Sequence, residues 1–133
     1  MDYQDFKKLT REIFGDFYSE QVDYCFEKAV EFAQQGDFET SIKIGKDAFA
    51  LSKFANLDYE KLYLIGLLCE LHLDKGQPEL AEAYFKFGMN IIDEGEDSFN
   101  DDVNSFLDLK IEIEKGLNKS LHNNDANKSG VNS

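Results

Sequence analysis

Three glycines, Gly36, Gly76 and Gly116, stand at 40-residue intervals in a chain of 133 residues, and the sequence around them repeats. Offsetting the chain by that interval pairs Val22 with Leu62, Cys25 with Ile65, Ala29 with Cys69 and Ala33 with Leu73. Beyond the glycine it pairs Ser41 with Ala81, Ile44 with Tyr84, Ala48 with Gly88 and Leu51 with Ile91. Both sets recur at steps of three and four, the spacing of one helix face. A fixed period with apolar stripes on both sides of a glycine, and small residues at matched places, describes stacked helical hairpins. A hairpin of this kind cannot bury its faces alone, so each copy needs a neighbour.

The central copy, Tyr59 to Ile92, is the most explicit. Leu62, Ile65, Leu68, Cys69, His72 and Leu73 form one stripe, and Leu80, Ala81, Tyr84, Phe85, Gly88, Met89 and Ile92 the next. Between them Gly76 suits the left-handed conformation that ends a helix, and Pro78 the first turn of the following one. The first copy runs from Ser19, a good N-cap, to Gln35 with Val22, Cys25, Phe26, Ala29, Phe32 and Ala33 inward. Asp37 then caps a helix reaching about Ala55, in which Gly45 marks a close crossing. Asn56 to Asp58 is a short connection, and Asp58 is the expected cap of the central hairpin. Upstream, Tyr3, Phe6, Leu9 and Ile13 give a separate first helix over residues 2–14, ended by Gly15 and Asp16. That aromatic segment has three open roles: capping the first repeat, lying in a groove, or mediating a dimer.

After Ile92 the acids Asp93, Glu94, Glu96, Asp97, Asp101 and Asp102 crowd one loop. The ligand order of an EF-hand is absent, so they read as a solvated loop and as favourable charges at the next helix's positive end. Val103, Phe106, Leu109 or Lys110, and Ile113 give a fifth main helix ending near Gly116. From Asn118 the chain is polar and rich in Asn and Ser, the composition of a disordered tail.

Charge narrows the partners. The chain carries 27 acidic and 14 basic side chains, net −13, and residues 1–115 alone hold 26 against 12, net −14. Such a surface repels phosphate backbones and anionic lipid, which disfavours nucleic acid and membrane and favours a basic or amphipathic protein. No apolar run approaches the ~20 residues that cross a bilayer. The start, MDYQDFKKLT, lacks the basic-then-apolar order of a signal peptide, so the expected location is cytoplasmic. Cys25 and Cys69, far apart on predicted apolar stripes, form no metal-ligand spacing and suggest no disulfide framework.

The repeat resembles the tetratricopeptide repeat family. QQGDFETSIKIGKDAFALSK is similar to that family's turn and second helix, through Gly36-Asp37-Phe38, Ser41 and Ala48. The second copy matches through Leu68, Gly76, Ala81, Phe85 and Gly88. His72 stands where Tyr is usual and Lys28 where Leu is usual, and the closing proline is missing. The 40-residue period exceeds the family's common repeat of about 34, as in its long-linker variants. The match covers about residues 19–116, with only the first helix of a third unit.

The resemblance implies an all-α fold of antiparallel helical hairpins stacked as a short α-solenoid, with an extra N-terminal helix. The parts are residues 1–18, a repeat domain over 19–117 and a tail over 118–133. It also implies a concave groove built by the first helix of each repeat. Its positions here are Asp23, Phe26, Val30 and Gln34, then Tyr63, Gly66, Glu70 and Asp74, then Val103, Phe106 and Lys110. The basic clamp by which some members grip a terminal carboxylate is not found there, so the groove suits a basic or amphipathic segment rather than an acidic tail.

Catalysis is not expected. His72 and His122 are the two histidines, and neither has a nucleophile or acid partner legible in the sequence. No Gly-rich phosphate loop, metal-ligand set or cofactor motif is present in the sequence. The expectation is a non-enzymatic interaction module, an adaptor or chaperone. Two alternatives are an acidic inhibitor of the immunity type that neutralises a basic protein, and a self-associating module, for instance a homodimer.

Overall fold

The computed structural model describes residues 1–131, and they form an all-α stack of helical hairpins. The helices are α1 (Tyr3–Gln34), α2 (Phe38–Ala55), α3 (Asp58–Asp74), α4 (Pro78–Glu94) and α5 (Asn100–Val131), with a 3₁₀ turn over Glu96–Phe99 before the last. Each helix packs on the next, while α3 also touches α1 and α5. This leaves α1, α3 and α5 side by side as one layer, with α2 and α4 behind them. Phe49 of α2 bridges the second layer, its ring edge-on to Tyr84 and Phe87 of α4.

The turns at the two glycines are the same turn. Gly36 N–H donates to Ala33 O and Asp37 N–H to Phe32 O; Gly76 N–H donates to Leu73 O and Gln77 N–H to His72 O, all at 2.8–3.0 Å. Both glycines hold positive φ, +85° and +72°, where a β-carbon would strain the backbone. The matched small residues meet in the same way in both hairpins. Ser41 Oγ donates to Ala29 O at 2.6 Å, and Cys69 Sγ to Ala81 O at 3.3 Å, so positions 29/69 and 41/81 mark one crossing used twice. A β-carbon at Gly45 would lie 3.1 Å from Leu68 Cδ2, the close approach its place in the stripe predicts.

The central helix is more deeply set than one stripe requires. Leu62, Leu64, Ile65, Leu68, Cys69 and Leu71 are all buried, so α3 is covered on nearly every side. A helix apolar around most of its circumference belongs in the middle of a stack. The 40-residue period is taken up by these helices, since the connections at Gln35–Asp37, Asn56–Leu57 and Lys75–Gln77 are short.

Three boundaries differ from expectation. The N-terminal segment is not an extra helix: α1 runs unbroken through Gly15 and Asp16, so the boundary expected at residue 18 falls inside it. Gly15 keeps a helical φ, and the segment is held by its docking on the end of α2. There Tyr18 lies edge-on to Phe54, and Arg11 Nε donates to Phe54 O at 3.4 Å. Ser19 is therefore not a cap; its hydroxyl donates to Glu60 Oε1 of α3 at 2.8 Å. Asp58 is not the cap of α3 either, because the cap position is Leu57 and Asp58 pairs with Lys61 at 3.0 Å. Lastly, α5 passes through Gly116 and continues as helix to Val131, across the segment expected to be a disordered tail. Gly116 is a crossing rather than a stop: a β-carbon there would meet Pro78 Cβ at 3.1 Å and Leu73 Cδ2 at 3.3 Å. Residues 132–133 of that expected tail lie outside the described residues.

Candidate functional site: an acidic groove across the first-helix layer

Where α1, α3 and α5 lie side by side they do not close on one another, and an open groove of about 680 Å³ runs across them. Its walls follow from helical phase. Phe26, Val30, Ala33 and Gln34 come from α1, with Phe38 from the start of α2. The floor is the α3 face of Leu62, Tyr63, Gly66 and Leu67, with the exposed Glu70 and Asp74 at its edge, and Asp102, Ser105, Phe106 and Leu109 form the far wall on α5. Of the expected positions, Phe26, Val30, Gln34, Tyr63, Gly66, Glu70, Asp74 and Phe106 line this groove.

The other three do not. Asp23 sits at the margin, where its carboxylate accepts from the Tyr63 hydroxyl. Val103 is half-buried against the core, and Lys110 is exposed on α5, away from the lining. Leu109 takes the place assigned to Lys110. The α5 stripe of Phe106, Leu109 and Ile113 settles the phase that the sequence left open between 109 and 110.

Gly66 and the aromatic pair beside it give the groove its shape. No atom lies within 4 Å of a β-carbon built at Gly66, so the glycine leaves open space rather than easing a packed crossing. Phe26 meets Tyr63 edge-on with centroids 4.9 Å apart, joining the α1 wall to the floor. Burial raises the Tyr63 hydroxyl far above the ordinary tyrosine value, with the hydrogen bond to Asp23 adding to it. Tyr63 therefore stays a neutral donor at physiological pH, fixed in orientation.

Charge in the groove has one sign. Glu70, Asp74 and Asp102 are its ionisable lining side chains apart from the tyrosines, and among the described residues no Lys, Arg or His lines it. Glu70 and Asp74 also face a second, adjoining basin of about 480 Å³, completed by Leu73, Ser105, Asp108, Leu109 and Glu112. Five carboxylates, Glu70, Asp74, Asp102, Asp108 and Glu112, from α3 and α5, thus line the two adjoining spaces. Among the described residues, no three His, Cys, Asp or Glu side chains are grouped to hold a metal ion.

The remaining reactive side chains lie elsewhere. His72 is buried between α3 and α4, stacked on Tyr84, with Nδ1 2.9 Å from Gln77 Oε1. Among the described residues its Nε2 has no partner. Cys69 is wholly buried, and that burial pushes its thiol up to about 12, so it is no nucleophile. Tyr59, Leu67 and Leu71 are lining residues that reading one stripe per helix missed, and Leu62, read as part of the inward stripe, lines the groove as well; α3 presents two faces, and the sequence shows this only as its unusually continuous run of leucines. No helix among the described residues is long and apolar enough to cross a membrane. Comparison with protein-family models, curated proteins and solved structures finds no match for this chain.

Proposed function

We propose that the chain is a non-enzymatic protein-interaction module, an adaptor or chaperone, which holds a basic or amphipathic protein segment in the groove of α1, α3 and α5. The observation that carries this reading is the pairing of an open apolar floor with a rim of carboxylates and, among the described residues, no lining cation. An amphipathic helix lays its apolar residues on such a floor and its basic residues against such a rim. The volume, about 680 Å³, accommodates a few anchor side chains rather than a whole domain. The repeated hairpins and the resemblance to tetratricopeptide repeats agree with this use. The free thiols of Cys25 and Cys69 suit a reducing compartment, the cytoplasm by default.

A second reading has its own observation. The carboxylates continue past the groove to Asp108 and Glu112, a breadth that suits neutralising the face of a basic protein, as an inhibitor does. Capture from lysate of the source cell distinguishes the two when Gly66→Leu is run beside the natural chain. Leucine at 66 fills the floor without touching the rim. A peptide-like ligand is lost from Gly66→Leu at any salt. A surface-neutralised basic protein stays on Gly66→Leu at low salt and dissociates from both chains at high salt. Ligands retained equally by both chains at both salt levels would refute the groove as the site.

A further inference from the structure

The first half of α1 carries an apolar face that the fold leaves about half exposed, although Thr10 within it is buried. Phe6, Leu9, Ile13, Phe14 and Phe17 are each 40–61% exposed, and Tyr3 extends the stripe at 62%. At 100° per residue Phe6, Leu9, Ile13 and Phe17 lie on one face of the helix, with Tyr3 and Phe14 flanking it toward Arg11 and Tyr18, the side that docks on Phe54. Taking about 200 Å² for a large side chain, the stripe exposes roughly 600 Å² of apolar surface, beyond the scattered apolar residues a monomer normally shows.

We infer that this stripe is a two-fold interface between copies of the chain, separate from the groove. Two observations select a second copy as its occupant. Pairing two such faces removes roughly 1,200 Å², the lower edge of what specific dimers bury. Charge provides the second. Residues 1–18 hold Lys7, Lys8 and Arg11 against Asp2, Asp5, Glu12 and Asp16, net −1 out of the chain's −13. Two copies repel each other only weakly across this face, whereas a basic partner is drawn to the carboxylates of the groove instead. A strongly negative protein is likewise kept off anionic lipid. An isologous contact closes at two copies. It leaves both grooves open, so the assembly would present two binding sites to a ligand and add avidity to each.

Sedimentation of the full chain from about 1 to about 200 µM tests this, because an interface near the lower size limit dissociates within that range. The expected mass rises from one chain of 15.2 kDa toward two, and raised salt leaves it unchanged or strengthens it. Ile13→Glu with Phe17→Glu should hold the mass at one chain while helicity is kept, since both residues are exposed. Gly66→Leu should still dimerise. A single-chain mass at the highest concentration overturns the inference. So does a dimer that survives the double substitution, or a mass that climbs past two copies. Binding of the monomer to phosphatidylcholine vesicles, lost in the double variant, would assign the face to lipid instead.

Discussion

Gly88→Ala and Gly66→Ala make the same chemical change in neighbouring helices of the stack, and the structure gives them opposite signs. A β-carbon at Gly88 would lie 2.5 Å from Phe106 Cε1, 3.0 Å from Phe106 Cζ and 3.2 Å from Ile65 Cγ2. Phe106 is only 4% exposed and packs on Phe85 at 6.1 Å between centroids, so moving the ring aside breaks that packing. Overpacking of this kind costs about 1–3 kcal/mol, offset by about 1 kcal/mol of helix propensity gained on replacing glycine. The net loss is on the order of 1 kcal/mol, read as a fall of roughly 4 °C in a thermal melt for a chain of this size. Gly66→Ala meets no atom within 4 Å and keeps only the propensity gain, so its Tm should rise by a few degrees. A double-substitution cycle isolates the contact: in a Phe106→Leu background, which removes the ring edge, Gly88→Ala should become neutral or stabilising. Melts by circular dichroism suffice. If Gly88→Ala stabilises the natural chain, or the Phe106 background leaves its effect unchanged, α4 and α5 do not cross where the structure places them.

Alkaline pH should destabilise the fold. Burial raises the Cys69 thiol and the Tyr63 and Tyr84 hydroxyls, and the unfolded chain ionises them at ordinary values, so the folded state holds more protons. Stability from these groups is full below those ordinary values and is lost as pH climbs, with the Cys69 part falling between 9.0 and about 12. Urea midpoints against pH check this, and Cys69→Ala should flatten the early part of the decline. Thiol labelling should be biphasic: half-buried Cys25 reacts under native conditions, whereas Cys69 reacts only at the rate of global unfolding. Ser41→Ala removes the buried hydroxyl bonded to Ala29 O and should cost about 1 kcal/mol in urea unfolding, with the helical spectrum unchanged.

What the sequence made legible was periodic. The turns at Gly36 and Gly76, the crossings at Gly45 and Gly88 and the α3–α4 hairpin all follow from spacing, because helical phase is local information. What stayed hidden depended on contacts between distant parts of the chain. Gly116 continues the 40-residue series yet lies under Pro78 within a helix, since a glycine's identity does not say whether its missing side chain serves a turn or a crossing. Ser19 has the chemistry of a cap, but its hydroxyl is engaged by Glu60, 41 residues on. Gly15 carries a helix-breaking propensity that docking on Phe54 overrides. The groove was legible to the same extent: positions on the phases of α1 and α3 fell into place, apart from Asp23 at the margin, and the α5 phase needed the packing of Phe106 and Ile113 to choose Leu109 over Lys110.

If apolar floor and acidic rim act together in holding a partner, a peptide titration followed by amide NMR shifts will show it. One synthetic peptide places leucines at helical i, i+3, i+4 spacing with lysines on the opposite face; a second has the same composition in scrambled order. The account predicts that the amphipathic peptide shifts the amides of Val30, Tyr63, Gly66, Glu70 and Phe106 together, that the scrambled one binds more weakly, and that Gly66→Leu abolishes the pattern. Shifts spread evenly over the acidic surface, equal for both peptides and indifferent to Gly66→Leu, would mean that the carboxylates attract opposite charge and the groove holds nothing.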